Sequence, residues 1–188
     1  MGRRPDGLVL TPPLTDDVPL LKRLRELGVR YSTVSAKREN HGVGVTLDER
    51  AAVADMMAHV VSLGHRRIGH ITGHRSHGAR VWRLAGYLDG LRNAGIEADP
   101  DLVAEGEFSF ESGITAARQL LDMRDPPTAI FGANDDTACG VLYEAAARGL
   151  KVPEQLSVFG FDDTPMSRQV WPSLSTVRQP SREMGRIA

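Results

Sequence analysis

The 188-residue chain is short of cysteine, of net charge and of long apolar runs, and each shortage closes off a class of protein. Its one cysteine, Cys139, excludes an internal disulfide framework and any all-cysteine metal cluster. It falls at a core-facing spacing in an expected helix and reads as a small buried apolar residue. The 23 Lys and Arg balance 24 Asp and Glu, a formal net charge of -1, so no overall field draws the chain to nucleic acid or anionic lipid. No apolar run approaches the ~20 residues a membrane helix needs, and no membrane partner is expected. The start, Met1-Gly2-Arg3-Arg4-Pro5-Asp6-Gly7, is charged and precedes only a short apolar stretch, unlike a secretory leader. A cytoplasmic location is therefore expected. Gly73-xxxx-Gly78 lacks the Lys-Ser/Thr pair of a phosphate loop, and neither Gly-x-Gly-x-x-Gly nor Gly-x-Ser-x-Gly occurs. No cofactor, internal repeat or low-complexity linker is read.

What is present is alternation. Short apolar runs of strand length occur at Leu8 to Thr11, Val29 to Val34, Val43 to Leu47, Arg67 to Thr72, Thr128 to Gly132, Val158 to Phe161 and Leu174 to Val177. Between them lie amphipathic stretches of helix length. One starts at Asp16 or Asp17, shares a face through Leu20, Leu21, Leu24 and Leu27, and stops at Gly28. A second, capped by Asp48, turns Ala52, Met56, His59, Val60 and Leu63 inward and ends at Gly64. Others run from Arg80 to Asn93 (Leu84, Leu88 and Leu91 on one side), Glu111 to Leu121, Thr137 to Arg148, and onward from Ser181. Residues 36–42 read as a polar loop and Ile96 to Glu107 as extended. Helix alternating with strand calls for an α/β fold: parallel sheets with helices on both faces. The chain starts on a strand and stops within a helix, with few strands in its first part, so a fragment is expected.

Polar residues recur where strands hand over to helices, and in open α/β sheets ligands bind outside the carboxyl ends of the strands. Asn134-Asp135-Asp136 follows one run, Asp162-Asp163-Thr164 another, and a His-, Ser- and Arg-rich loop a third. Asn134 and its neighbours can serve ligand hydroxyls or cap a helix, and both readings stay open. Asp162-Asp163 can bind, ligate Mg²⁺ or exchange protons, although adjacent residues at a strand end point apart. His65, His70, His74 and His77 lack the tight spacing of a zinc site, with no acidic residue near them in sequence. Arg83 offers a planar fork for vicinal hydroxyls, or a surface ion pair. Phe108 can stack on a ring face or belong to the core.

In order, Asp6-Gly7-Leu8-Val9-Leu10, Val45-Thr46-Leu47-Asp48, Leu63-Gly64-His65-Arg66-Arg67-Ile68-Gly69, Arg83-Leu84-Ala85-Gly86-Tyr87, Glu105-Gly106-Glu107-Phe108, Ala133-Asn134-Asp135, Gly149-Leu150-Lys151-Val152-Pro153, Gly160-Phe161-Asp162-Asp163 and Leu174-Ser175-Thr176-Val177-Arg178-Gln179-Pro180 resemble one family. It is the effector-binding core of the lactose-repressor/galactose-repressor (LacI/GalR) regulators of bacterial transcription. The resemblance implies a periplasmic-binding-protein-like fold: two Rossmann-like lobes with parallel sheets and hinge crossovers, the first lobe incomplete here. It divides the chain into part of the N-terminal lobe over 1–47, returning at 177–188, and the C-terminal lobe over 48–176. The helix-turn-helix head is absent, so operator DNA is a partner of the parent protein through that head.

Carried over residue by residue, the resemblance assigns Arg83, Phe108, Asn134, Asp162 and, more weakly, Gln179 to a ligand site between the lobes. Leu47, Asp48, Val177 and Arg178 mark the hinge. No catalytic residue and no metal ligand is assigned. The implied function is effector sensing: a small molecule, a sugar or sugar derivative, biases a hinge equilibrium and so modulates operator binding by a homodimer. Apolar surface on Thr137 to Arg148 and around Val170-Trp171 is the expected dimer face, and either segment reads equally well as core. Two alternatives remain: a transport protein binding sugar with the same fold, and a hydrolase using Asp135, Asp162 or Asp163 on a sugar.

Overall fold

The computed structural model describes residues 5–36 and 43–188. Most of the loop expected over residues 36–42, and the first four residues of the charged start, lie outside them. The chain divides into two compact units. One holds the residues up to Asp48 with Ser76–Ala79 and Pro180–Ala188; the other holds Glu49–Arg75 and Arg80–Gln179.

In the first unit, β1 (Leu8–Leu10), β2 (Tyr31–Val34) and β3 (Val43–Val45) form a parallel sheet in that order. Helix α1 (Val18–Glu26) covers one face. Its start is fixed by Asp17, whose carboxylate accepts the Leu20 N–H at 3.0 Å, which settles the choice of cap left open between Asp16 and Asp17. Leu21 and Leu24 bury against Leu10, while Leu27, expected on the same face, is exposed. A cavity of about 400 Å³ is lined by Val9, Tyr31, Ser32 and Val43 and contains none of the expected ligand residues.

The second unit is a five-stranded parallel sheet in the order β5-β4-β6-β7-β8. Its strands are β4 (Ile68–Ile71), β5 (Val103–Ala104), β6 (Ala129–Gly132), β7 (Ser157–Asp162) and β8 (Ser175–Arg178). Strands β4 and β6 are buried at every position, as expected of a sheet covered on both faces. Helices α4 (Phe110–Leu121) and α5 (Asp135–Ala147) pack Ala116, Ala117, Leu120, Ala138, Cys139, Val141 and Ala145 on Ile71, Ile130 and Val158. Cys139 is buried here, and burial pushes its thiol up to about 11. On the other face α2 (Glu49–Ser62) and α3 (Gly78–Asn93) meet, with Tyr87 donating to the Ile68 carbonyl at 2.7 Å.

Three expectations need correction. The buried face of α2 is Glu49, Val53, Met57 and Val60, one residue out of phase with Ala52 and Met56, and His59 and Leu63 are exposed. The buried face of α3 is Arg83, Gly86, Tyr87, Gly90 and Leu91, while Leu84 and Leu88 are half-buried. Both shifts have one cause: a Cβ on Gly86 or Gly90 would strike α2 at Arg50, Val53 or Met57. The two helices therefore touch along glycines, which apolar periodicity does not register. Finally, Ile96 to Glu107 is not extended throughout: Pro100–Leu102 is a 3-10 turn capped by Asp99, and only Val103–Ala104 pairs as strand.

Candidate functional site

Strand β4 is flanked by β5 on one side and β6 on the other, so successive crossovers leave it in opposite directions. A ligand crevice belongs at the carboxyl ends of strands arranged in this way. Four of the five expected ligand residues gather there, built on four different elements.

Arg83 is 4% exposed. Its Nε donates to Glu49 Oε2 at 2.7 Å, Nη1 to the Ala133 carbonyl just past β6, and Nη2 to Asp162 Oδ1 at 3.4 Å at the end of β7. The guanidinium carbon lies 3.8 Å from the centre of the Phe161 ring and 5.7 Å from that of Phe108. Arg83 is thus no surface ion pair. It fastens the starts of two helices to the ends of two strands.

Asp162 has φ of 114°, and its neighbour Asp163 has φ of 56°. Such values are costly for residues with a Cβ and cluster where function holds the backbone in place. Burial pushes the Asp162 carboxyl up to about 6, against the opposing pull of Arg83; Asp135 and Glu49 raise it further. Asp163 differs in kind. It is held by Arg178 (2.6 Å) and Arg168 (3.0 Å), which keep its carboxyl below the usual range.

Phe108 is the third residue of this rim with positive φ, at 61°. Its carbonyl accepts Asn134 Nδ2 at 3.1 Å, and it immediately precedes Ser109, the N-cap of α4 in a reciprocal capping box with Ser112. Asn134 does two jobs: its Oδ1 accepts the Thr137 N–H at 2.9 Å, capping α5, while its amide holds the Phe108 loop. The capping reading and a place at the rim are compatible. Asp135 is wholly buried and accepts from Thr164 N (2.7 Å), Thr164 Oγ1 (2.9 Å) and Thr176 Oγ1, tying α5 to the ends of β7 and β8. It is a structural tie, as Asp163 is through its two arginines.

Gln179 follows β8, and its N–H donates to the Asp162 carbonyl at 3.3 Å. Val177 and Arg178 lie within β8, and Leu47 and Asp48 directly precede α2. The chain passes from one unit to the other after Asp48 and after Gln179, and also after Arg75 and after Ala79. His74, which has no acidic neighbour in sequence, lies 3.3 Å from Glu107, and Arg75 donates from Nη2 to both carboxylate oxygens of Glu105 at 2.6 and 2.7 Å. Among the described residues no group of three or more His, Cys, Asp and Glu is placed to hold a metal ion.

Glu49 escapes sequence reasoning, and His70 is weighed there only against a zinc site. Glu49 was hidden by the one-residue error in the phase of α2: counted as 49, 53, 57, 60, the helix puts a carboxylate on its buried face. His70 lies fully buried beneath the rim, stacked between Phe131 (4.7 Å, 11°) and Tyr87 (5.2 Å, 28°). Its Nδ1 is 3.0 Å from the Phe131 carbonyl, and its Nε2 has no partner among the described residues. Burial lowers it to about 4, so it is neutral at pH 7.

Comparison with known proteins places this geometry. The periplasmic binding protein-like domain family matches residues 57–188. The repressor CytR of Escherichia coli K12 is 43% identical over 144 residues, 77% of this chain and 42% of its own. The crystal structure of a LacI family transcriptional regulator from Mycobacterium smegmatis superposes with a TM-score of 0.87 at 32% identity, over 98% of this chain and 68% of that one. The regulator CelR, solved in complex with cellobiose, gives 0.87 at 35% identity, over 96% of this chain and 56% of its own. The chain spans less than half the length of the curated CytR sequence it matches.

Proposed function

The chain belongs to the LacI family of transcriptional regulators and carries their periplasmic-binding-protein-like domain, and from that premise we propose that its larger unit senses a small effector at the carboxyl rim of its sheet. One observation carries the reading. Phe108, Asp162 and Asp163 hold positive φ within a rim that also contains Arg83 and Asn134, and strain of this kind persists where it positions groups for a ligand. Asp162 and the remaining N–H groups of Arg83 offer polar contacts to vicinal hydroxyls, and Phe108 offers a ring face to the apolar side of a sugar or a base.

CelR, a neighbour of similar fold, holds cellobiose, which supports a sugar or sugar derivative as the effector class. In the longer protein, effector binding would bias one arrangement of the domain over another, and coupling of that sort is typically ~1–3 kcal/mol. Operator DNA is the proposed partner of the whole protein. The proposed oligomer is a homodimer, supported by surface on the larger unit: Trp171 is 95% exposed, with Tyr143 and Met166 also exposed. The reading treats the ligand as returned unchanged, and no helix of the described residues is long and apolar enough to cross a membrane.

A thermal-shift screen against sugars including cellobiose, polyols, nucleosides and amino acids tests the reading. At 100 times its dissociation constant an effector raises stability by about 2.7 kcal/mol. No shift with any class, in this chain and in the full-length protein alike, would overturn it.

A further inference from the structure

We infer that Gly73 is a positioning residue for effector binding, because the missing side chain is what allows the Phe108 ring to occupy its place on the rim. The inference rests on the effector reading given above, and adds a residue to it.

Gly73 follows β4 and is buried. A Cβ built on it falls within the Phe108 ring, overlapping Cζ, Cε1 and Cε2, so the far edge of that ring sits directly on the glycine backbone. The φ of Gly73 lies outside the left-handed region, and an alanine would suit the backbone. Space alone demands glycine here. The turn that carries the ring is held at several points, so the ring can yield only by rotating about its own side-chain bonds and not by moving the backbone. Phe108 itself is at positive φ, and its carbonyl is taken by Asn134. The Glu107 N–H donates to Ser112 Oγ at 3.0 Å, and Ser109 caps α4. Gly106 packs on the Thr72 carbonyl so closely that a Cβ there would also collide. The salt bridge of Glu105 to Arg75 joins the same two loops from outside, and a second to Arg80 ties Glu105 to α3.

The loops after β4 and β5 are therefore interlocked through two glycines, and the ring is preset 5.7 Å from the Arg83 guanidinium. Pre-organisation of this kind lowers the cost of ordering a site at the moment of binding. A side chain at residue 73 would displace the ring and alter which ring-shaped effectors stack there.

The test is a double-mutant cycle with a direct probe of the ring. Gly73→Ala, Phe108→Ala and the double variant are compared by thermal midpoint, alongside ¹⁹F spectra of 4-fluorophenylalanine-labelled protein with the Phe108 resonance assigned by its loss in Phe108→Leu. We expect Gly73→Ala to lower the midpoint by roughly 5 °C, the scale of overpacking by one methyl. The same change should cost little once Phe108 is alanine. The Phe108 resonance should move more than those of the other four phenylalanines. Cellobiose and D-ribose titrations then report the effector arm. A shifted resonance with neither sugar binding would leave the positioning intact and count against the effector reading. Equal cost of Gly73→Ala with Phe108 or Ala at residue 108, with an unmoved resonance, would overturn the positioning.

Discussion

The Arg83 guanidinium and the Glu49 carboxylate form an ion pair of 2.7 Å with both side chains almost wholly withdrawn from solvent, 5% and 4% exposed. Breaking a buried pair by removing one partner leaves an uncompensated charge and costs about 3–5 kcal/mol. Arg83→Ala should therefore destabilise the fold strongly. Glu49→Ala should cost a similar amount, although Glu49 is not proposed to touch the effector. Urea denaturation of the two variants checks this; losses under about 1 kcal/mol would show the pair to be solvated.

Asn134 separates two roles by chemistry. Asn134→Ala loses the cap on Thr137 and the bond to the Phe108 carbonyl, and should cost about 1–3 kcal/mol. Asn134→Asp keeps the cap acceptor but removes the donor, so its stability should recover much of the loss. Effector affinity in the aspartate variant should stay reduced if the Phe108 loop depends on that donor. Denaturation midpoints and titrations of both variants distinguish the contributions.

Acid sensitivity should divide between two buried groups of opposite sign. His70 is lowered from 6.5 to about 4, so its contribution is present above pH 6.5 and is lost as pH falls toward 4. That loss is on the order of 3 kcal/mol. Asp162 is raised from 3.8 to about 6, so its contribution is present below pH 3.8 and is lost as pH rises through 6. The two oppose each other across the same window. Between pH 7 and 4.5, His70→Phe should lose less stability than the wild type, and Asp162→Asn should lose more. Thermal midpoints against pH read this directly; parallel profiles for all three proteins would contradict it.

Trp171 should matter to assembly and little to folding, because it is 95% exposed in the isolated chain. In the proposed homodimer, Trp171→Asp should shift sedimentation of the full-length protein toward monomer while leaving the thermal midpoint of the chain near the wild-type value. A dimer unaffected by the change would move the interface elsewhere.

The order of strands and helices was legible because short runs of mainly apolar residues mark β4 and β6, and Gly64 and Gly149 end their helices at positive φ. The helix faces were less so. Glycine carries no hydrophobic signal, so the contact of Gly86 and Gly90 with α2 was invisible, and with it the true phase of both helices. That error hid Glu49, whose role follows from burial and cannot be inferred from its residue type. Val103–Ala104 is too short a strand to show a period, which is why the segment before Phe108 was read as extended throughout. The candidate site was legible as a set of residue types at strand ends. Its positive φ angles and the seat of Phe108 on Gly73 depend on two loops meeting, which no local pattern encodes.

Calorimetric titration of the effector found by screening, into wild-type protein and Asp162→Asn, probes the rim at the half-buried carboxylate that faces Arg83 from the end of β7. Loss of that charge-assisted contact should weaken binding by about tenfold or more, with the fold retained. Equal affinity in the two proteins would show that the small molecule is held somewhere other than this end of the sheet.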